Sequence, residues 1–136
     1  MSNLSVFVTT FNNAETLGAC LDSVMFADEV LVLDSFSTDT TPQICADKGV
    51  VFKQHSFLGY GRQKQRALEH TTSDWVLFLD ADEMLSDELI QEIKSLRERG
   101  FGADGHTGFS IPRNEQVFWR MSADGTRKNL YVRLFN

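Results

Sequence analysis

The chain has 136 residues and 42% hydrophobic residues, and its 13 basic and 19 acidic side chains give a formal net charge of −6. That suits one globular domain with one core, and excludes a collagen-like, low-complexity or disordered chain. The acidic balance argues against a nucleic-acid partner. With no bilayer-length apolar run and no signal-peptide pattern at the N-terminus, a cytoplasmic location is expected.

In chain order, Leu4-Ser5-Val6-Phe7-Val8 reads as a buried strand and residues 9–13 as a turn. Asn12 followed by Glu15 predicts a capping box. Leu17, Cys20, Leu21 and Val24 then show the i, i+3, i+4, i+7 stripe of a core-facing helix. Residues 30–33 form a second apolar strand that ends in the polar loop Asp34-Ser35-Phe36-Ser37-Thr38-Asp39. Pro42 suits a first helical turn, and Gly49 a helix stop before a strand over 50–52.

Residues 57–61 form a flexible aromatic loop, followed by a helix from about Arg62 to His70. Trp75-Val76-Leu77-Phe78-Leu79 is apolar at every position, which predicts a strand covered on both faces. It runs into Asp80-Ala81-Asp82-Glu83. Ser86 caps a helix with the stripe Leu89, Ile90, Ile93 and Leu96 or Arg97, ended by Gly100. A glycine-rich loop over 100–108 precedes shorter strands over 109–112, 117–119 and 130–135.

The order β-α-β-α-β-α-β-α with a β-rich tail predicts an α/β fold: a mainly parallel sheet, helices on both faces and a short β-rich C-terminal part. Ligands in such sheets sit beyond the carboxyl ends of the strands. Three of the first four strands end in polar clusters, residues 9–12, 34–39 and 80–83, which should meet on one edge.

Charge is uneven along the chain. Residues 1–52 hold seven acids and one base, Lys48, whereas residues 53–66 hold four bases and no acid. A positive stretch within an acidic chain suits a small anionic ligand, or else is a solvated loop. Cys20 and Cys45 read as buried reduced thiols, and His55, His70 and His106 make no zinc spacing.

Asp80 and Asp82 carry the sharpest chemical signal. Two carboxylates at the end of a buried strand are costly unless a cation offsets them, and oxygen ligands suit Mg²⁺ or Mn²⁺. The alternative is that one of them caps the next helix. No GxGxxG or P-loop follows the first strand; instead Thr9, Phe11 and Asn12 offer a hydroxyl, an aromatic face and an amide for a planar base, or else a helix cap and a core Phe. Asp34 could accept from a base N–H or a ribose hydroxyl, or cap the helix near Thr41. Arg62 and Lys64 near a helix N-terminus favour phosphate, or else lie on an exposed face. Together these describe a nucleotide diphosphate site.

With these blocks, and with Gly61-Arg62-Gln63-Lys64-Gln65-Arg66-Ala67-Leu68, Gly108-Phe109-Ser110-Ile111-Pro112-Arg113 and Tyr131-Val132-Arg133-Leu134-Phe135, the chain resembles the family 2 glycosyltransferases, and among them the bacterial glucosyltransferases of lipopolysaccharide core synthesis. The resemblance covers essentially the whole chain. It implies a Rossmann-like GT-A domain over 1–136 and inverting transfer of a sugar from a nucleotide diphosphate sugar, UDP-sugar by default, to a saccharide or lipid-linked acceptor. It places Thr9, Phe11 and Asn12 on the base side, Asp34 with Ser35 at uracil and ribose, Lys64 near the nucleotide, and Asp80 and Asp82 in the metal-binding DxD, with Asp82 as the direct ligand of Mn²⁺ or Mg²⁺.

In this branch the pattern continues well past the Arg-Leu-Phe block, so the chain reads as the N-terminal part of a longer pattern. The expected catalytic base has no match: Glu83, Glu115 and Asp124 fit it by no motif. The alternative reading is a non-catalytic nucleotide-sugar-binding fragment. Exposed C-terminal strands would favour self-association. A lipid-linked acceptor would bring the protein to the inner face of the membrane, although no basic amphipathic helix is evident.

Overall fold

Apolar strands set the middle of the sheet. In the computed structural model, which describes residues 2–113, 116–117, 120–121 and 129–136, β1 (Leu4–Thr10), β2 (Glu29–Asp34), β3 (Val51–Gln54) and β4 (Trp75–Asp80) run parallel. They join β5 (Gly108–Arg113) and β8 (Asn129–Phe135) in a six-stranded sheet of order β3-β2-β1-β4-β8-β5. Strand β8 is antiparallel to both its neighbours. Strands β6 (Gln116–Val117) and β7 (Arg120–Met121) pair separately. The expected α/β fold, mainly parallel with a β-rich end, is the one found. Of the strand expected over 117–119, residues 118 and 119 lie outside the described residues.

Helices α1 (Ala14–Asp22), α2 (Thr41–Lys48), α3 (Tyr60–Glu69) and α4 (Asp87–Arg99) cover the two faces. The chain moves one way across the sheet from β1 to β3, then reverses to reach β4. Right-handed crossovers place α3 on the face opposite α1 and α2 for that reason. One core gathers Val6, Val8, Val32 and Leu77 with Leu17, Cys20 and Leu21 of α1, Cys45 of α2 and Ile93 of α4. The other packs Phe7, Leu31, Leu33 and Val76 against Ala67 of α3. Each such buried aliphatic side chain contributes about 1.5–3 kcal/mol.

Parallel register brings the carboxyl ends together. Thr9 pairs with Asp80 and Thr10 with Asp34, so the first strand is flanked by both acidic ends. The strand order reverses at this point, where α/β sheets open a crevice. Thr9 and Thr10 belong to β1 rather than to a turn, and α3 begins at Tyr60, two residues earlier than its sequence pattern predicts. Strand β3 runs Val51–Gln54 rather than over 50–52, whereas the caps of α4 and α2 follow their local signals. Ser86 Oγ accepts from Leu89 N at 3.2 Å, and Gly49 ends α2 in the left-handed region at φ 70°.

The capping box is not formed. Asn13, not Asn12, precedes α1 and makes no side-chain cap bond. Asn12 has φ 51° and its Oδ1 accepts from Thr38 N at 2.8 Å. The local pattern was available, but bonds to the loop after β2 took the amide. Nor does Asp34 cap α2. Asp39 Oδ1 accepts from Thr41 N at 2.9 Å, and its Oδ2 from Ala14 N at 3.2 Å, so one carboxylate serves the starts of two helices. Hydrogen bonding, first from Thr41, holds that carboxyl below its ordinary value. Among the described residues no helix is long and apolar enough to cross a membrane.

Burial pushes the Cys20 thiol up to about 12, helped by the carboxylates of Glu83, Asp82 and Asp80, and pushes Cys45 up to about 11. Both thiols stay protonated in the fold while they ionise in the unfolded chain. Above a pH of about 9 the unfolded state therefore binds fewer protons than the native state, and stability falls as pH rises. Urea unfolding between pH 8 and 10 is expected to show that loss, and a Cys20→Ala, Cys45→Ala variant a shallower one. Equal slopes would contradict the buried-thiol assignment.

Candidate functional site

At the carboxyl edge of the sheet lies a cleft of about 400 Å³, whose wall includes Thr9, Phe11, Ser35, Lys64, Asp80 and Asp82. Six of the residues that the sequence singles out are thus brought together. Asn12, Asp34 and Arg62 are not in that wall. Asn12 and Arg62 are exposed, whereas Asp34 is fully buried. Thr10, Asn13, Phe57, Tyr60, Gln63 and Ala81 complete the lining.

The β2 side of the cleft is built by hydrogen bonds between two loops. The Asp34 carboxylate accepts from Ser37 N at 2.9 Å, from the Ser37 hydroxyl and from Gln54 Nε2 at 3.1 Å. Three donors satisfy the buried charge without a cation. They also hold Phe36 at φ 62°, a left-handed conformation that an aromatic residue adopts only when its surroundings impose it. Asn12 N donates to Ser37 Oγ at 2.8 Å, while Ser35 N donates to Thr10 O at 3.0 Å, joining the loops after β1 and β2. Asn13 Oδ1 completes the turn by accepting from Thr10 Oγ1 at 2.8 Å and Phe11 N at 3.0 Å.

The aromatic residues of the lining stand open. Phe11 is 56% exposed and Tyr60 79% exposed, with Phe57 edge-on to Tyr60 at 5.1 Å between ring centroids. Exposed rings on a cleft wall offer stacking faces to a planar ligand.

The β4 side is charged. Lys64 Nζ lies 3.4 Å from Asp80 Oδ1 and 4.9 Å from the centroid of the Phe78 ring. Arg133 stands 4.7 Å from the same ring, so cations from α3 and β8 cover a face that strand periodicity alone assigned to apolar neighbours. Asp82 is exposed, and Cys20 Sγ lies 3.7 Å from the Asp80 carbonyl behind it.

Glu83 fixes the acidic turn. Its carboxylate accepts from Asp80 N at 2.9 Å and pairs with Arg133 through bonds of 2.6 and 3.1 Å. Only 14% of the Glu83 side chain and 9% of the Arg133 side chain are exposed, so this pair is largely desolvated and depends on its two-pronged geometry. The antiparallel pairing of β8 with β4 is what delivers Arg133 here. Asp80 and Asp82 offer hard oxygen donors, and among the described residues no group of three or more acidic, His or Cys side chains forms a metal cage. Two carboxylates are part of an oxygen donor set that Mg²⁺ or Mn²⁺ accepts, so these residues fit the cation.

Gln63, Glu83, Arg133 and the rings of Phe57 and Tyr60 were not singled out as site residues by sequence. Gln63 stood within a basic run, but its i, i+4 partner Ala67 shares the buried face of α3, and that spacing marks it. Glu83 and Arg133 are 50 residues apart with no local signal joining them.

Residues 5–133 match the family model described as Glycosyl transferase family 2. The lipopolysaccharide core biosynthesis glycosyltransferase LpsC of Rhizobium meliloti is 35% identical over 137 residues, covering 96% of this chain and 50% of that protein. An uncharacterized glycosyltransferase of Rickettsia felis is 41% identical over 95 residues, covering 69% of this chain and 34% of its own length. Among solved structures, S. aureus TarS superposes with a TM-score of 0.58 at 27% identity, over 71% of this chain and 33% of that one. Glucosyl-3-phosphoglycerate synthase from Mycobacterium tuberculosis in complex with uridine diphosphate gives a TM-score of 0.56 at 28% identity, over 61% of this chain and 35% of that one. The chain therefore spans between a third and a half of the length of the curated relatives named here.

Replacing Arg133 by Met removes the two-pronged partner of a largely buried carboxylate. Equilibrium denaturation is expected to show a loss of about 3 kcal/mol. A loss below about 0.5 kcal/mol would mean that the pair does not hold β8 to the acidic turn.

Proposed function

The chain belongs to glycosyl transferase family 2, and on that premise we propose that its cleft binds a nucleotide diphosphate sugar, UDP-sugar first, as the donor site of an inverting transferase. One observation carries the reading. A single cleft joins a hydroxyl, amide and aromatic wall at the β2 end to Lys64, Asp80 and Asp82 at the β4 end. The first wall suits a base and ribose, and the second a diphosphate.

In this reading Phe11 and Tyr60 flank the base, and Ser35 reads its edge. Asp34 and Asn12 act from beneath by holding the loop that presents Ser35. Lys64 leaves Asp80 for the diphosphate and offsets its charge, with Arg62 adding to the positive field at the start of α3. Asp80 and Asp82 hold Mn²⁺ or Mg²⁺, which when bound offsets negative charge building on the leaving diphosphate. Thr9 and Ala81 close the floor between the two ends. We propose a saccharide or lipid-linked acceptor in cell-envelope synthesis, met at the inner face of the membrane; the lipopolysaccharide core biosynthesis in the name of the LpsC relative supports the first part of that reading.

A second reading, donor binding without turnover by this chain alone, is favoured by Glu83. The acid next to the DxD is engaged by Arg133 and by Asp80 N, which makes it a positioning group rather than a base. Release of UDP from a UDP-sugar in the presence of a saccharide acceptor separates the two readings.

Calorimetric titration of UDP in Mn²⁺ and then in EDTA tests donor binding. Metal-dependent binding is expected, and Asp82→Asn is expected to weaken it by more than tenfold, about 1.4 kcal/mol. No binding by the folded chain in either condition would overturn the proposal. Equal affinity of the Asp82 variant would remove the metal assignment.

A further inference from the structure

We infer that the segment from Lys53 to Arg66, on the rim of the cleft, is a docking surface for an anionic lipid bilayer. Its role, bringing a lipid-linked acceptor to the cleft mouth, rests on the acceptor reading proposed above; the surface itself does not. The starting point is where the exposed rings lie. Phe11, Phe36, Phe57 and Tyr60 are the aromatic members of the exposed large hydrophobic side chains described. The first three follow the carboxyl ends of β1, β2 and β3, and Tyr60 opens α3, so all four stand on one edge of the sheet. Phe36 and Leu58, 52% and 43% exposed, are not in the cleft wall, so a ligand held within the cleft does not account for them. Grouped apolar exposure with a polar rim marks an interaction surface.

Charge selects the partner. Residues 53–66 hold four of the chain's 13 bases and none of its 19 acids. Lys64 is paired with Asp80. Lys53, Arg62 and Arg66 form no ion pair among the described residues, and Lys53 and Arg62 are exposed. Arg62 and Arg66 stand four residues apart on α3, beside the aromatic loop at its start. On a chain of net charge −6 this is the one stretch that an anionic surface attracts rather than repels.

An anionic polymer would use the bases and leave Leu58 and the rings in water. A bilayer uses both: aromatic rings settle at the headgroup level, an aliphatic side chain enters the acyl boundary, and bases meet anionic headgroups. Each base near such a surface strengthens binding about fivefold, and three of them on the order of a hundredfold. The rim is also held in place beforehand. His55 N donates to the Asp34 carbonyl at 2.9 Å and Asn12 N to Ser37 Oγ at 2.8 Å, so the loops that carry Phe11, Phe36 and Phe57 are joined. A surface already ordered loses little on docking. Phe57 and Tyr60 belong to both the rim and the cleft wall, which places the bilayer at the cleft mouth.

Co-sedimentation in EDTA compares vesicles of phosphatidylglycerol with vesicles of phosphatidylcholine. The wild type is expected to bind the anionic vesicles at least about tenfold more tightly, and less so as salt rises. The double variant Lys53→Glu, Leu58→Glu changes two exposed residues outside the cleft wall. Shown to be folded by circular dichroism, it is expected to lose at least about tenfold on anionic vesicles. Its UDP titration should stay within about twofold of the wild type. No vesicle binding, equal binding to both lipids, or a folded variant that binds like the wild type would overturn the inference. So would dextran sulfate binding as tightly as the vesicles at equal charge, which would make the partner a polyanion. The lipid comparison needs no variant, so it decides the matter even if the variant does not fold. UDP binding without vesicle binding removes this inference alone, whereas vesicle binding without UDP binding removes the donor-site proposal and leaves the surface.

Discussion

A carboxylate buried without a cation sits beneath the whole β2 side of the cleft. Asp34 is inaccessible to solvent, and its charge is tolerated because Ser37 and Gln54 turn three donors toward it. Those bonds do more than satisfy a charge. They bend the chain through the left-handed Phe36, which leaves Ser35 facing the cleft. Ser37 then accepts from Asn12 N and Asn12 accepts from Thr38 N, so the loops after β1 and β2 become one unit. Remove the carboxylate and every one of those donors needs another partner.

The β4 side follows a different logic. There charges are left near the surface, where they can change partners. Lys64 rests on Asp80 at 3.4 Å with about a third of each side chain exposed, an ion pair of the partly exposed kind that contributes little to stability. Behind it, the Glu83–Arg133 pair is largely buried and holds the turn to β8. A rigid frame with an adaptable front is the arrangement that binding of a charged ligand needs, because the ordering cost is met before the ligand arrives. It also ties the acidic turn to a strand that follows it by some 50 residues.

Much of this was legible in the sequence. Strands β1, β2 and β4 announced themselves as apolar runs, and their alternation with helical stripes was enough to give the parallel sheet and to bring Thr9, Asp34 and Asp80 to one edge. Asp80 and Asp82 were readable because acids at the end of a buried strand need a reason. What was not legible depended on contacts between distant segments. The Asn12–Glu15 spacing satisfied a local rule, but a bond to Thr38, 26 residues away, decided the amide's place. Asp34 looked like a ligand contact and turned out to face inward, toward Ser37 and Gln54. Gln63 looked like one more polar residue on a basic helix, and its spacing from Ala67 on the buried face of α3 was the one signal for it. Arg133 has no local feature that predicts a partner in Glu83.

The central claim is that one cleft has two ends with different chemistry, base toward β2 and diphosphate toward β4. Amide chemical shifts of the ¹⁵N-labelled chain test it directly, with uridine and Mg²⁺-pyrophosphate added separately. Uridine should move the signals of Ser35, Phe36 and Gln63, and Mg²⁺-pyrophosphate those of Lys64, Ala81 and Asp82, with UDP and Mg²⁺ moving both sets. Uridine shifting the residues around Asp82, or either ligand acting away from the cleft, would contradict the account.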